Sequence, residues 1–288
     1  MSKRRAIDRH LRALGEIKEI MNAMKNLALM ETHKLTRRLG TQRRVVASIE
    51  AAAADFLAFY PHLPGTAAPT REIHLLIGSE RGFCGDFNET LATALRKHAT
   101  EGEQPAVLMI GSKLASRHAN DPDVMARLAG PSALEEVEAV LLNLMATLEQ
   151  WQARQALARA LRFTIFHHLP EEPGVKVTRL DPFSQETPPQ RFAYAPLLNL
   201  DPELFLARLA EHYLFAVLHE LFYCSLMAEN QLRVQRMDSA VRRIDDESQV
   251  LLRRSNSLRQ EEITEEIELI MLNIETPAKM PRVWPGPG

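Results

Sequence analysis

Apolar residues recur at the alternating three-and-four spacing of a coiled-coil stripe at both ends of the chain. The first stripe runs Leu14, Ile17, Met21, Met24, Ala28, Glu31, Leu35, then Val45, Ile49 and Phe56, and Pro61 ends it. The second runs Asn230, Val234, Met237, Val241, Ile244, Ser248, Leu251, Ser255 and Leu258, with a shifted continuation through Ile263, Ile267, Ile270 and Ile274. No Gly or Pro interrupts Glu203 to Thr276. At about 1.5 Å per residue these helices are roughly 80 and 110 Å long, whereas a sphere made of this chain would be only about 50 Å across. The helices must therefore project. A lone amphipathic helix is unstable in water, so the chain's two ends are expected to pair as an antiparallel coiled coil.

Between the stripes the period changes. After the turn-rich connector His62–Pro69, the runs Glu72–Ile77, Ala106–Ile110, Leu161–Phe166 and Val175–Leu180 read as strands. Helical segments are expected from about Asp86 to His98, from Gly111-Ser112 onward, and from Pro131-Ser132 to Gln155. Strands separated by helices predict a small, largely parallel sheet. A Pro-rich linker, Asp181 to Pro189, precedes the last helix, which Asp201 is placed to cap with Pro202 at its first position. The fold class is α/β: a long antiparallel coiled coil of N- and C-terminal helices plus a small central Rossmann-like α/β domain. The expected divisions are a coiled-coil helix over 1–60, the α/β domain over 70–190, a second coiled-coil helix over 200–276, and a disordered tail over 277–288.

Composition changes this picture little. Of 288 residues, 45% are hydrophobic and 25% charged, as in an ordinary globular protein. The net charge of −2 hides an asymmetry, with 12 Lys/Arg against 6 Asp/Glu in residues 1–60 and 10 against 15 in residues 201–288. Opposite-sign helices suit each other. No apolar window reaches the ~18–20 residues of a membrane span, and the Arg-rich start lacks the apolar stretch of a signal peptide. Cys84 and Cys224 fall in different elements and read as free thiols of a reducing compartment.

Candidate chemistry is sparse. The turn Gly78–Gly85 is the one place with the glycine-rich strand-to-helix form that cradles a phosphate, but glycines at 78, 82 and 85 fit neither a dinucleotide fingerprint nor a nucleotide-phosphate loop. Gly82, Cys84 and Gly85 read instead as parts of a tight structural turn. Cys84 near a helix start is a candidate nucleophile without an obvious base, since His74 sits early in the preceding strand. His212 and His219, and His167-His168, lack the company of a metal site. The N-terminal arginines have no aromatic residue beside them to stack a base, which argues against nucleic acid. No catalytic residue, cofactor or metal is expected.

Motifs in three separated regions resemble the gamma subunit of F-type ATP synthases. Tyr213 to Glu229 with Arg233 and Met237 resembles that family's "SLxSExxxRMxAM", and Arg259 to Ile267 resembles its "RQxxITxEIxEI". Arg81-Gly-Phe-Cys-Gly-Asp-Phe-Asn88 is similar to "RGLCGxxN", and Ala23-Met24-Lys25 to part of "KAMxMV". The resemblance spans the chain in the right order. It departs at Gly15–Ile20, where the family has "NTQKIT", at Gly85-Asp86, and in the Pro-rich tail, which marks a divergent branch.

The resemblance implies a central rotor shaft, without catalysis of its own, that couples ion flow through a ring of c subunits to ATP turnover in an alpha/beta hexamer. Its implied partners are the alpha and beta subunits, the epsilon subunit and the c-ring, at the cytoplasmic face of a bacterial plasma membrane and with no membrane span of its own. It implies partner contacts at Met24, Lys25, Arg233, Gln260 and Thr264, and foot contacts at Arg37, Arg38, Arg43 and Arg44. The rival readings are an α/β enzyme using Cys84 with helical dimerisation arms, and a free-standing coiled-coil tether.

Overall fold

A computed structural model describes residues 2–63, 71–98, 106–154, 161–170, 172, 174–180 and 192–275. The tail expected over 277–288 and the linker over 181–189 lie outside the described residues. Helix α1 spans Ser2–Phe59 and α5 spans Pro202–Glu275. Between them come β1 (Arg71–Ile77), α2 (Phe87–His98), β2 (Ala106–Ile110), α3 (Ser112–Arg117), β3 (Val124–Leu128), a 3₁₀ turn at Leu134–Glu136, α4 (Val137–Arg154), β4 (Leu161–His168) and β5 (Val175–Leu180). Asp201 caps α5 as expected, its carboxylate accepting the Glu203 amide at 3.0 Å.

The chain packs as two compact units, one from residues 1–23 and 238–288 and the other from residues 24–237. In the first unit α1 and α5 run antiparallel. Arg4 pairs with Glu262 at 2.8 Å, the Ser255 hydroxyl donates to Asp8 at 3.1 Å, and Lys18 pairs with Asp245. Leu14, Val241 and Ile244 are its buried apolar residues.

The second unit holds the five-stranded sheet in the order β3-β2-β1-β4-β5, parallel except for the antiparallel β4–β5 pair. Strand β3 was not anticipated, because five residues between Asp123 and Ala129 carry too little alternation to stand out. Period-two alternation sorts the strands onto two cores. Ile73, Leu75, Ile77, Leu108, Ile110 and Ile165 face α1, α4 and α5, while Leu76, Val107, Met109 and Phe166 face α2 and α3. Here too α1 and α5 are antiparallel, with the Gln42 amide donating to the Ala216 carbonyl at 2.8 Å and the Tyr213 hydroxyl to Glu50 at 3.3 Å. Residues 224–230 of α5 are all buried, because this stretch has α1 on one side and the sheet on the other.

The first stripe needs a correction. One rail lies where expected, at Leu14, Met21, Ala28, Leu35, Ile49 and Phe56. The other side of the seam is Leu11, Lys18, Lys25, Thr32, Leu39, Val46 and Ala53, all buried or half-buried, with Met24 and Glu31 half-buried beside them as expected, while Ile17 and Val45 are 44% and 43% exposed. Hydrophobicity favours Ile17 over Lys18 at this choice. Long Lys stems cover apolar surface while their charged heads reach water or an acid such as Asp245, so the polar rail is tolerated. The α5 stripe agrees with expectation from Asn230 to Leu258, but Ile263, Ile267 and Ile270 are exposed and do not continue it.

Candidate functional site

The motif-bearing turn and α5 are joined by one buried polar cluster. Glu229 and Arg233, one helical turn apart and 4% and 5% exposed, form an ion pair. Arg233 also donates to the Asn230 side-chain carbonyl at 2.7 Å and to the Gly82 backbone carbonyl at 3.2 Å. Burial pushes the Glu229 carboxyl up; Arg233 and the amides of Arg81 and Glu80 pull it back. The turn is thereby stapled to α5 through both its amides and a carbonyl. Two residues near its end have positive φ, Phe83 at 64° and Gly85 at 69°, and a Cβ on Gly85 would lie 2.7 Å from the Arg236 guanidinium. Gly82 needs no such freedom, since nothing lies within 4 Å of where its Cβ would be. Its part in the turn is its carbonyl.

Cys84 is a packed thiol. It donates to the Ser79 hydroxyl at 3.3 Å, and Ser79 is held in turn by Asn88, which accepts the Ser79 amide at 2.9 Å and donates to its hydroxyl at 2.8 Å. Burial pushes the Cys84 thiol up, the wrong direction for a nucleophile. His74 turns elsewhere, toward Glu72, His98 and Phe166.

The carboxyl ends of the parallel strands, where an open α/β sheet usually takes its ligand, hold a side chain instead. Glu80 accepts the Ser112 amide at 2.8 Å, the Ser112 hydroxyl at 2.7 Å and the Gly130 amide at 2.7 Å. Burial pushes the Glu80 carboxyl up, but these bonds hold it below the ordinary carboxylate range. A half-buried carboxylate of the chain itself thus occupies these amides. Sequence reasoning missed this clamp, whose only trace is an acid two residues past Gly78. Gly111, with φ 108°, allows the close approach, since a Cβ there would lie 2.7 Å from the Gly78 backbone.

His167, His168 and His219 serve packing. His167 is 1% exposed, bonds Thr178 at 2.9 Å, and burial pushes its pKa down to about 4. His168 stacks on Phe87 at 4.0 Å and reaches the Phe87 carbonyl at 3.0 Å. His219 packs between Phe215 and Tyr223.

The residues carried over as partner contacts divide by exposure. Gln260 and Thr264 are exposed in the first unit, Thr264 donating to the Gln260 carbonyl at 2.9 Å. Met24 and Lys25 are half-buried. Arg233, by contrast, has its guanidinium occupied inside the chain. Among the foot candidates, Arg37, Arg38, Arg43 and Arg44 are all exposed, with Arg43 reaching Glu220 at 3.3 Å and Arg44 reaching Thr41 at 3.4 Å.

Comparison with known proteins gives concordant findings. A family model described as ATP synthase matches residues 3–273. The chain is 26% identical over 291 residues to the ATP synthase gamma chain of Mycobacterium marinum, covering 91% of this chain and 93% of that one. It is 22% identical over 275 residues to that of Clostridium novyi, covering 92% and 95%. The fold is shared with a chain of the Euglena gracilis mitochondrial ATP synthase OSCP/F1/c-ring structure, at TM-score 0.60 and 14% identity over 98% of this chain and 99% of that one. It is shared also with a rotor chain of the same organism's enzyme, at TM-score 0.59 and 12% identity.

Proposed function

The chain belongs to the ATP synthase family as a gamma chain, and from that membership we propose that it is the central rotor shaft of an F-type ATP synthase, coupling ion flow through a c-ring to ATP synthesis or hydrolysis. One observation carries the reading: a single family match runs through both terminal helices and the sheet between them, and the helices pair antiparallel in each unit. The partners are the alpha and beta subunits around the helical pair, with the epsilon subunit and c-ring at the other end. The chain is a peripheral member of a membrane-associated complex on the cytoplasmic face of the bacterial plasma membrane. It carries no reaction centre; catalysis belongs to the beta subunits.

The mechanism follows from chemistry around the helical pair. Two helices have no threefold symmetry, so three like sites arranged around them each meet a different face. Each orientation stabilises a different conformation of its neighbour by differential contact, and turning the pair passes those conformations from site to site. Gln260 and Thr264, exposed on α5, and Met24 and Lys25 on α1 are the shaft's contacts with beta. Arg233 acts one step removed, by holding the turn against α5. Arg37, Arg38, Arg43 and Arg44 form a basic face for the epsilon or c-ring end.

The test is reconstitution with the alpha and beta subunits of the same organism. The chain alone hydrolyses no ATP, and the assembled complex turns over ATP and rotates a probe fixed to the chain. Gln260→Ala lowers the coupled rate while the helical signal stays unchanged. Intrinsic turnover by the purified chain, or a hexamer equally active without it, refutes the assignment.

A further inference from the structure

Where α1 ends and α5 begins, the second unit holds a cavity of about 510 Å³ walled by the rings of Phe56, Phe59, Phe192, Tyr194 and Phe205. Phe56, 2% exposed, is its most buried wall, stacking on Tyr60 at 4.7 Å and packing against Phe205 at 4.7 Å. Phe192 and Tyr194 are 58% and 87% exposed, so the aromatic wall reaches solvent. The volume is that of a small-molecule site, and the lining is apolar with one exception.

That exception selects the occupant. Asp55 is the one charged residue lining the cavity among the described residues, half-buried and in no ion pair with any of them. A molecule large enough to cover the rings also takes water away from this carboxylate. A neutral one leaves a desolvated charge without a partner, and an anion adds repulsion, so only a cation meets it. Two further features carry the same sign. The faces of aromatic rings are the negative side of their quadrupole and attract cations. Helix α1 ends at Phe59 with no basic residue in its last turn, which puts the negative end of its dipole beside Asp55. The positive end of α5 is already answered by its cap Asp201 and by Glu203. We propose that this cavity binds a bulky organic cation of the aryl- or alkyl-ammonium class, its charge at Asp55 and its apolar groups against the rings. A single lysine or arginine side chain of a partner is too small to fill the space, which favours a free molecule. The site touches the last turn of α1 and the first turn of α5, so an occupant ties the two helix ends together. None of this depends on the chain's turning as a rotor.

The experiment titrates the full chain, by calorimetry, with tetraphenylphosphonium and with tetraphenylborate, an anion of the same shape and size. The cation is expected to saturate one site at submillimolar concentration and to raise Tm as its concentration rises, with the anion at least about tenfold weaker. Asp55→Asn, at constant helical signal, weakens the cation about tenfold and narrows its preference over the anion, whereas Asp55→Glu retains both. Tyr194→Ala, at a position too exposed to support the fold, weakens the cation roughly threefold. Equal binding of the two ions, no saturable binding, or cation binding that Asp55→Asn leaves unchanged overturns the proposal, the last by placing the cation elsewhere on the chain. Should Asp55→Asn unfold, amide shifts of the parent chain decide. Movement at Ala52, Asp55 and Phe59 on titration with the cation supports the site, and their constancy refutes it.

Discussion

Removing the Arg233 side chain tests the staple between turn and helix most directly. Arg233→Ala breaks the pair with Glu229, the bond to Asn230 and the bond to the Gly82 carbonyl, and it leaves a carboxylate that is 4% exposed without its counter-charge. Breaking a buried pair from one side costs about 3–5 kcal/mol, most of it the penalty of the stranded charge. At about 4 kcal/mol, a unit of this size loses roughly 8–16 °C in Tm. The double variant Glu229→Gln with Arg233→Ala strands no charge, so it should recover much of that loss, with a coupling of about 2–3 kcal/mol in the double-mutant cycle closed by Glu229→Gln alone. Thermal and urea unfolding followed by circular dichroism, with Cys84 alkylation as a local probe of turn opening, reads all four proteins. If Arg233→Ala costs less than about 1 kcal/mol, or the two substitutions add without coupling, the staple is not what holds the turn.

Three further outcomes follow from the same geometry. Gly111→Ala forces a methyl to 2.7 Å from the Gly78 backbone at a left-handed φ and should cost about 3 kcal/mol by urea unfolding, whereas Gly82→Ala, with open space around it, should stay within about 0.5 kcal/mol of the parent. His167 is neutral in the folded chain with its pKa lowered to about 4, so the unfolded chain binds its proton first. Its contribution is complete above about pH 6.5 and is lost as pH falls toward 4, at most about 3 kcal/mol, and His167→Gln should flatten that limb of the pH–stability profile. Lys18→Leu exchanges an exposed ion pair for an apolar residue on the seam and should raise the protection of the α1 amides around it in hydrogen exchange; a fall would show that the pair with Asp245 holds the helices in register.

Local periodicity by itself determined both long helices, the α5 stripe from Asn230 to Leu258, four of the five strands and the cap at Asp201, because each depends on spacing along one element. The family resemblance singled out the Arg81–Asn88 turn and the Glu229–Arg233 stretch as separate motifs, but not the bond that joins them. Which rail of α1 is buried was a tertiary decision. Ile17 and Lys18 sit one position apart, and only the partner helix, with Asp245 to receive a lysine, selects between them. The same holds for Arg233, whose sequence reads as a surface arginine until the fold brings the Gly82 carbonyl from 151 positions away. Glu80 likewise becomes an internal anion only when β2 and β3 deliver the Ser112 and Gly130 amides to it. In each case the deciding group comes from a distant part of the chain, and for Arg233, the buried one of the three, the charge is stable only because such groups arrive to meet it.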